Sequence, residues 1–86
     1  MKGRLIMKRE EIVTKVKEAL IDVLGLDEDA KINESDRIIE DLEADSLDYA
    51  ELVIKLEKTY NVKISDEQLA GKSTVGDIID FIETII

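Results

Sequence analysis

Ile12, Val13, Val16, Ala19, Leu20, Val23 and Leu24 recur at three- and four-residue spacing, which predicts an amphipathic helix with one buried face. Gly25 follows the last of them and predicts the stop, because glycine takes the left-handed turn that ends a helix at little cost. From 26 to 45 no period persists. This is a long connection, with Leu26, Ile32, Ile38 and Leu42 spaced to pin it onto the helices. The helical period returns over 46–60, with Asp45 or Ser46 as the N-cap. Ser65-Asp66-Glu67-Gln68 has the pattern of a capping box but precedes a single strong apolar residue, Leu69, so it predicts a short helix ending at Gly71. Thr74 then caps a final helix whose stripe is Val75, Ile78, Ile79, Ile82 and Ile86, with Asp77 in the first turn where negative charge suits the helix dipole. Residues 61–64 alternate weakly and are too few for a strand. The predicted fold is all-α: a four-helix bundle with three longer helices, one short third helix, and a long loop between helices one and two. One domain spans 8–86, and residues 1–7 read as a frayed N-terminal extension.

The second helix carries two apolar stripes. At about 100° per residue, Tyr49, Leu52, Val53, Leu56 and Tyr60 gather on one side and form the core face. Leu47, Ala50 and Ile54 fall nearly opposite, among Glu51, Glu57 and Lys58. A helix packed by one face exposes this second stripe, which has the form of a contact surface with a charged rim. Periodicity alone leaves open that Leu47 covers the incoming loop and that Ile54 is an ordinary exposed aliphatic residue.

Composition narrows the function. The chain of 86 residues has a formal charge of −9 and contains neither cysteine nor histidine. No disulfide, cysteine-based zinc site or histidine base is available. The charge disfavours nucleic acid and anionic membranes and favours basic partners. No apolar run reaches spanning length, and residues 1–7 lack the apolar stretch of a signal peptide, so the expected compartment is the cytoplasm. Residues 26–45 hold nine acids against Lys31 and Arg37, so most of the excess charge lies just before Ser46. A serine at a helix start is most often a cap. This one also sits where unpaired amides and the dipole favour an attached phosphate, at the junction of the acidic loop and the two-faced helix.

Asp41-Leu42-Glu43-Ala44-Asp45-Ser46-Leu47-Asp48, followed by Glu51-Leu52-Val53, closely resembles the phosphopantetheine attachment segment of acyl carrier proteins of the dissociated (type II) bacterial fatty-acid synthase. The likeness covers roughly residues 8–86, including Ile64-Ser65-Asp66-Glu67 and Thr74-Val75-Gly76-Asp77 through Phe81. It implies an acyl carrier domain that is not an enzyme. A phosphopantetheinyl transferase (holo-acyl-carrier-protein synthase) would attach 4'-phosphopantetheine from coenzyme A to Ser46. The resemblance further implies that Asp45 helps place magnesium in the transferase complex, and that Leu47, Asp48, Ala50, Glu51, Ile54 and Glu57 form the docking face. The implied partners are fatty-acid synthase enzymes and acyltransferases with basic patches. A monomer without resident metal, nucleic acid or stable membrane association is expected. The short helix around Leu69, with little apolar surface to hold it, is expected to be the element that moves.

Three positions depart from the family pattern. Glu43 stands where glycine is usual, which questions the turn geometry. Lys55 and Lys58 add positive charge to a normally more acidic helix. Ile38 replaces an aromatic loop anchor. A specialised carrier for polyketide, peptide, lipopolysaccharide or D-alanine transfer is the alternative within the fold, although peptidyl carriers usually show a glycine pair before the serine. An acidic binding module is the rival from another class. An EF-hand loop needs glycine at its sixth position and an acid at its twelfth. Frames starting at Asp27 and Asp41 give Ile32 with Ile38 and Ser46 with Leu52, so both fail. Weak divalent-ion binding by the clustered acids stays open.

Overall fold

The computed structural model describes residues 2–86, with side chains from Arg9 onward. It contains α1 (Lys2–Leu24), α2 (Ser46–Tyr60), α3 (Asp66–Leu69) and α4 (Val75–Ile85). Among the described residues there is no strand, and Arg37 and Thr74 form an isolated antiparallel bridge. The expected extension over 1–7 lies outside the residues whose side chains are described. Helix α1 packs against both α2 and α4. Ile12, Val16 and Leu20 of α1, Leu52 and Leu56 of α2, and Val75, Ile78, Ile79 and Ile82 of α4 are almost wholly buried in one aliphatic core.

Three helices begin with the same device. Asp45, Ser65 and Thr74 each accept from the N3 amide of the following helix, while the N3 side chain of Asp48, Gln68 or Asp77 accepts from the cap's own amide. Each box satisfies two donors that a helix start leaves without intrahelical partners. Helix α1 ends at Gly25, whose φ of +68° is the left-handed turn anticipated from sequence.

The expected stripe on α4 needs one correction. Ile86 lies past the last turn and is exposed, whereas Phe81 is buried and widens the covered arc. Angle alone puts Ile86 in line with Ile79 and Ile82, but the bundle does not extend far enough to cover it.

The loop over 25–45 is stitched to the start of α4. The Val75 and Gly76 amides donate to the carbonyls of Asp36 (3.0 Å) and Glu34 (2.7 Å), so the loop supplies acceptors that the helix start lacks. A side chain at position 76 would meet the Glu34 carbonyl oxygen at 3.0 Å, which explains glycine there. The Ile38 amide donates to the Ser73 carbonyl at 2.9 Å. Ile32 and Ile38 are buried as expected, and Ala44 joins them. Arg9 adds a charged clasp across α1, the loop and α4, bonding Glu34 at 2.6 Å and Asp80 at 2.8 Å and also reaching Glu83. These three carboxylates hold its guanidinium pKa above the ordinary value, the Asp80 hydrogen bond contributing most.

Candidate functional site

The approach to Ser46 is built residue by residue. Glu43 takes a left-handed φ of +59°, the conformation a glycine adopts freely. Ala44 is then buried, and its amide donates to the Ile38 carbonyl at 3.2 Å. Asp45 follows as the N-cap, accepting from the Asp48 amide at 2.8 Å, while the Asp48 carboxylate accepts from the Asp45 amide at 3.2 Å. Asp45 rather than Ser46 therefore caps α2. Ser46 is left as the first helical residue, exposed, with its hydroxyl relieved of capping.

Leu47, Ala50, Glu51 and Ile54 all face solvent along α2, and Leu47 (72% exposed) and Ile54 (50%) rank among the most exposed large apolar residues of the fold. The second stripe is thus uncovered by the loop. Two expected members of the face have structural duties as well. Asp48 belongs to the capping box, and the Glu57 carboxylate accepts from the Ile64 amide at 2.7 Å, which holds the α2–α3 connection. Lys55, one of the two lysines that depart from the acidic pattern, reaches Asp22 of α1 at 2.7 Å, while Lys58 is exposed.

Two clefts open beside Ser46. One, of about 380 Å³, lies between the 37–40 turn and the 69–73 segment and is lined by Arg37, Ile39, Tyr49, Leu69 and Lys72. The other, of about 490 Å³, runs between α2 and α3 past Ala50, Val53, Ile54, Ile64 and Leu69. Ser46, Tyr49 and Leu69 border both. Tyr49, assigned from periodicity to the core face, is only half-buried, and its hydroxyl donates to the Lys72 carbonyl at 2.9 Å. Burial, and secondarily the charge of Asp77, raise its pKa. Among the described residues no group of three or more acids is arranged to hold a metal ion.

A family profile for the phosphopantetheine attachment site matches residues 14–82. The chain belongs to that family. It is an acyl carrier protein by relationship as well: it is 47% identical to the acyl carrier protein of Thermotoga maritima, over 87% of this chain and 91% of the relative. It is 36% identical to the meromycolate extension acyl carrier protein of Mycobacterium leprae, over 94% of this chain and 70% of that one. Its fold matches the solution structure of a candidate acyl carrier protein from Anaplasma phagocytophilum with a TM-score of 0.78 and 34% identity, covering 87% of this chain and 88% of the other.

As an acyl carrier, the protein bears covalent 4'-phosphopantetheine and is not itself an enzyme. Membership implies engagement by a phosphopantetheinyl transferase and by synthase enzymes in general. No described helix is long and apolar enough to cross a membrane.

Proposed function

We propose that this carrier serves fatty-acid synthesis of the dissociated bacterial type in the cytoplasm, as a monomer, with 4'-phosphopantetheine joined to Ser46. The exposed Ser46 hydroxyl carries this reading: it stands free of capping at the start of α2, in the position that matches the family's attachment serine. The residues fit the group. A helix start favours a phosphate, and two clefts adjoin the serine. The bound group supplies a terminal thiol that holds acyl chains as thioesters, which suits a chain without cysteine.

The protein's part is to bind and present. Asp45, next to the serine, helps place magnesium in the transferase complex. Leu47, Ala50, Glu51 and Ile54 present an apolar strip with an acidic rim to enzymes bearing basic patches, with Asp48 and Glu57 at its edge. Tethering raises the effective concentration of cargo at each enzyme.

Incubation with coenzyme A, magnesium and a promiscuous phosphopantetheinyl transferase is expected to add one phosphopantetheine mass, localised to Ser46. An unchanged mass beside a control carrier that labels normally rejects the assignment. Likeness to the meromycolate extension carrier keeps a specialised role as the second reading. Transfer rates from a fatty-acid malonyl transferase separate the two: a dedicated carrier is a poor acceptor despite complete loading.

A further inference from the structure

The two clefts beside Ser46 differ in charge. The α2–α3 cleft has Glu57 and Asp66 in its lining and no cation. The other cleft brings Arg37 and Lys72 together with Ser46, in a chain whose preceding loop holds nine acids. Its one acid, Glu40, bonds Arg37 at 2.7 Å, and Asp77 lies near enough to Lys72 for that charge to help lower its pKa. The walls are fastened. The Ile38 amide donates to the Ser73 carbonyl at 2.9 Å, Arg37 bridges to Thr74, and Tyr49 holds the Lys72 backbone from α2. Ile39, 51% exposed, and Leu69 supply apolar surface to the same cleft.

Resting on Ser46 as the attachment point, we infer that Arg37 and Lys72 hold the phosphodiester of the prosthetic arm and lay the arm in this cleft. A phosphodiester on Ser46 stays anionic whatever acyl group is carried. Asp45 and Asp48 repel it on the α2 side. Of the two clefts that Ser46 borders, only this one is lined by cations, so charge directs the arm there rather than along Ala50 and Ile54.

The test uses the protein loaded from coenzyme A, with the mass gain at Ser46 verified first. Amide ¹H–¹⁵N spectra of unloaded and loaded protein are then compared, with the ³¹P resonance followed as salt is raised. Shift changes at Ile39 and Ser73 are expected to exceed those at Ala50 and Ile54 and to shrink with salt. They are expected to be lost in Arg37→Gln/Lys72→Gln and restored in Arg37→Lys/Lys72→Arg. Helicity is preserved because Arg37 is exposed and Tyr49 contacts the carbonyl of Lys72, not its side chain. If the double variant loses its fold, the salt titration of the parent decides alone. Shifts confined to the neighbours of Ser46, strongest along Ala50 and Ile54, or unaltered by salt overturn the inference while the carrier reading stands. Failure to gain the mass overturns both.

Discussion

Asp45 has two separable jobs, and two substitutions divide them. Its carboxylate accepts from the Asp48 amide at 2.8 Å, and in the proposed function its charge helps place magnesium beside Ser46. Asp45→Ala removes both. Loss of an N-cap costs about 1 kcal/mol, within a range of roughly 0.5–2. For a domain of this size that is a fall in Tm of about 4–8 °C per kcal/mol. Asp45→Asn keeps a side-chain oxygen at the cap, and asparagine and aspartate cap about equally well. The charge it removes costs about 0.3–1 kcal/mol against the dipole, partly offset because Asp41, Glu43 and Asp48 no longer repel a neighbour. The expected order is a near-parental melting temperature for Asp45→Asn and a clear drop for Asp45→Ala, with both loaded slowly by the transferase. Urea titration gives the stabilities and intact mass against time gives the loading rates. Equal destabilisation by the two substitutions refutes the capping argument. Parental loading of Asp45→Asn confines Asp45 to its structural job.

Ile54→Glu or Glu51→Lys is expected to slow transfer by a cognate enzyme without loss of helicity, because both side chains are exposed; parental transfer rates for both variants remove the docking face. Glu43→Gly relieves a left-handed non-glycine residue, worth about 1–2 kcal/mol, against an unfolded-state entropy cost of about 0.4–1 kcal/mol; urea titration should show no change to a gain of about 1 kcal/mol, and a loss contradicts the strain argument. Hydrogen bonds from the Thr74 and Ser73 amides hold the Asp77 pKa below its ordinary 3.8, so its contribution is present above that value and lost as pH falls through the lowered one. Asp77→Asn should flatten the acid limb of the stability curve below about pH 4, and an unchanged limb argues against this linkage.

The helices were legible because their signals are local. Capping residues and the three-and-four spacing of aliphatic residues each involve positions a few apart, so α3 and α4 begin at the caps read from sequence, and α2 begins at one of the two candidates, Asp45. Glycine's usual place at position 43 likewise marked a backbone turn, and the structure keeps that turn with glutamate in it. The clefts were not legible. Their walls come from residues 37–40, 46–57 and 64–73, and no period links a loop arginine to a lysine 35 positions later. Tyr49 and Glu57 show the same gap. Helical angle assigned one to the core and put the other on the rim of the second stripe, which the family resemblance reads as a docking face, but each also reaches a backbone group beyond α2, the Lys72 carbonyl and the Ile64 amide.

Those two bonds also bear on where the fold can yield. In the proposed function the carrier keeps its docking face fixed while cargo of changing size is held beside it. Helix α2 buries Leu52, Val53 and Leu56, whereas α3 fully buries none of its residues and contributes Leu69 to the border of both clefts. The segment around α3 is held to α2 at its two ends, by Glu57 to Ile64 and by Tyr49 to Lys72. Within it the Gln68 amide meets the Ser65 hydroxyl, and the Ala70 amide the Glu67 carbonyl, only at 3.3 Å. Few buried contacts and long hydrogen bonds place α3 at the low-stability end of local opening. Amide exchange at Gln68, Leu69 and Ala70 is therefore expected to be fast where Leu52, Leu56 and Ile79 are slow, and Tyr49→Phe, which deletes one tether, should speed the Lys72 region without altering α1 or α4. Protection of α3 equal to that of α2 refutes the argument, because a segment that opens only with the whole fold cannot be the part that yields to cargo.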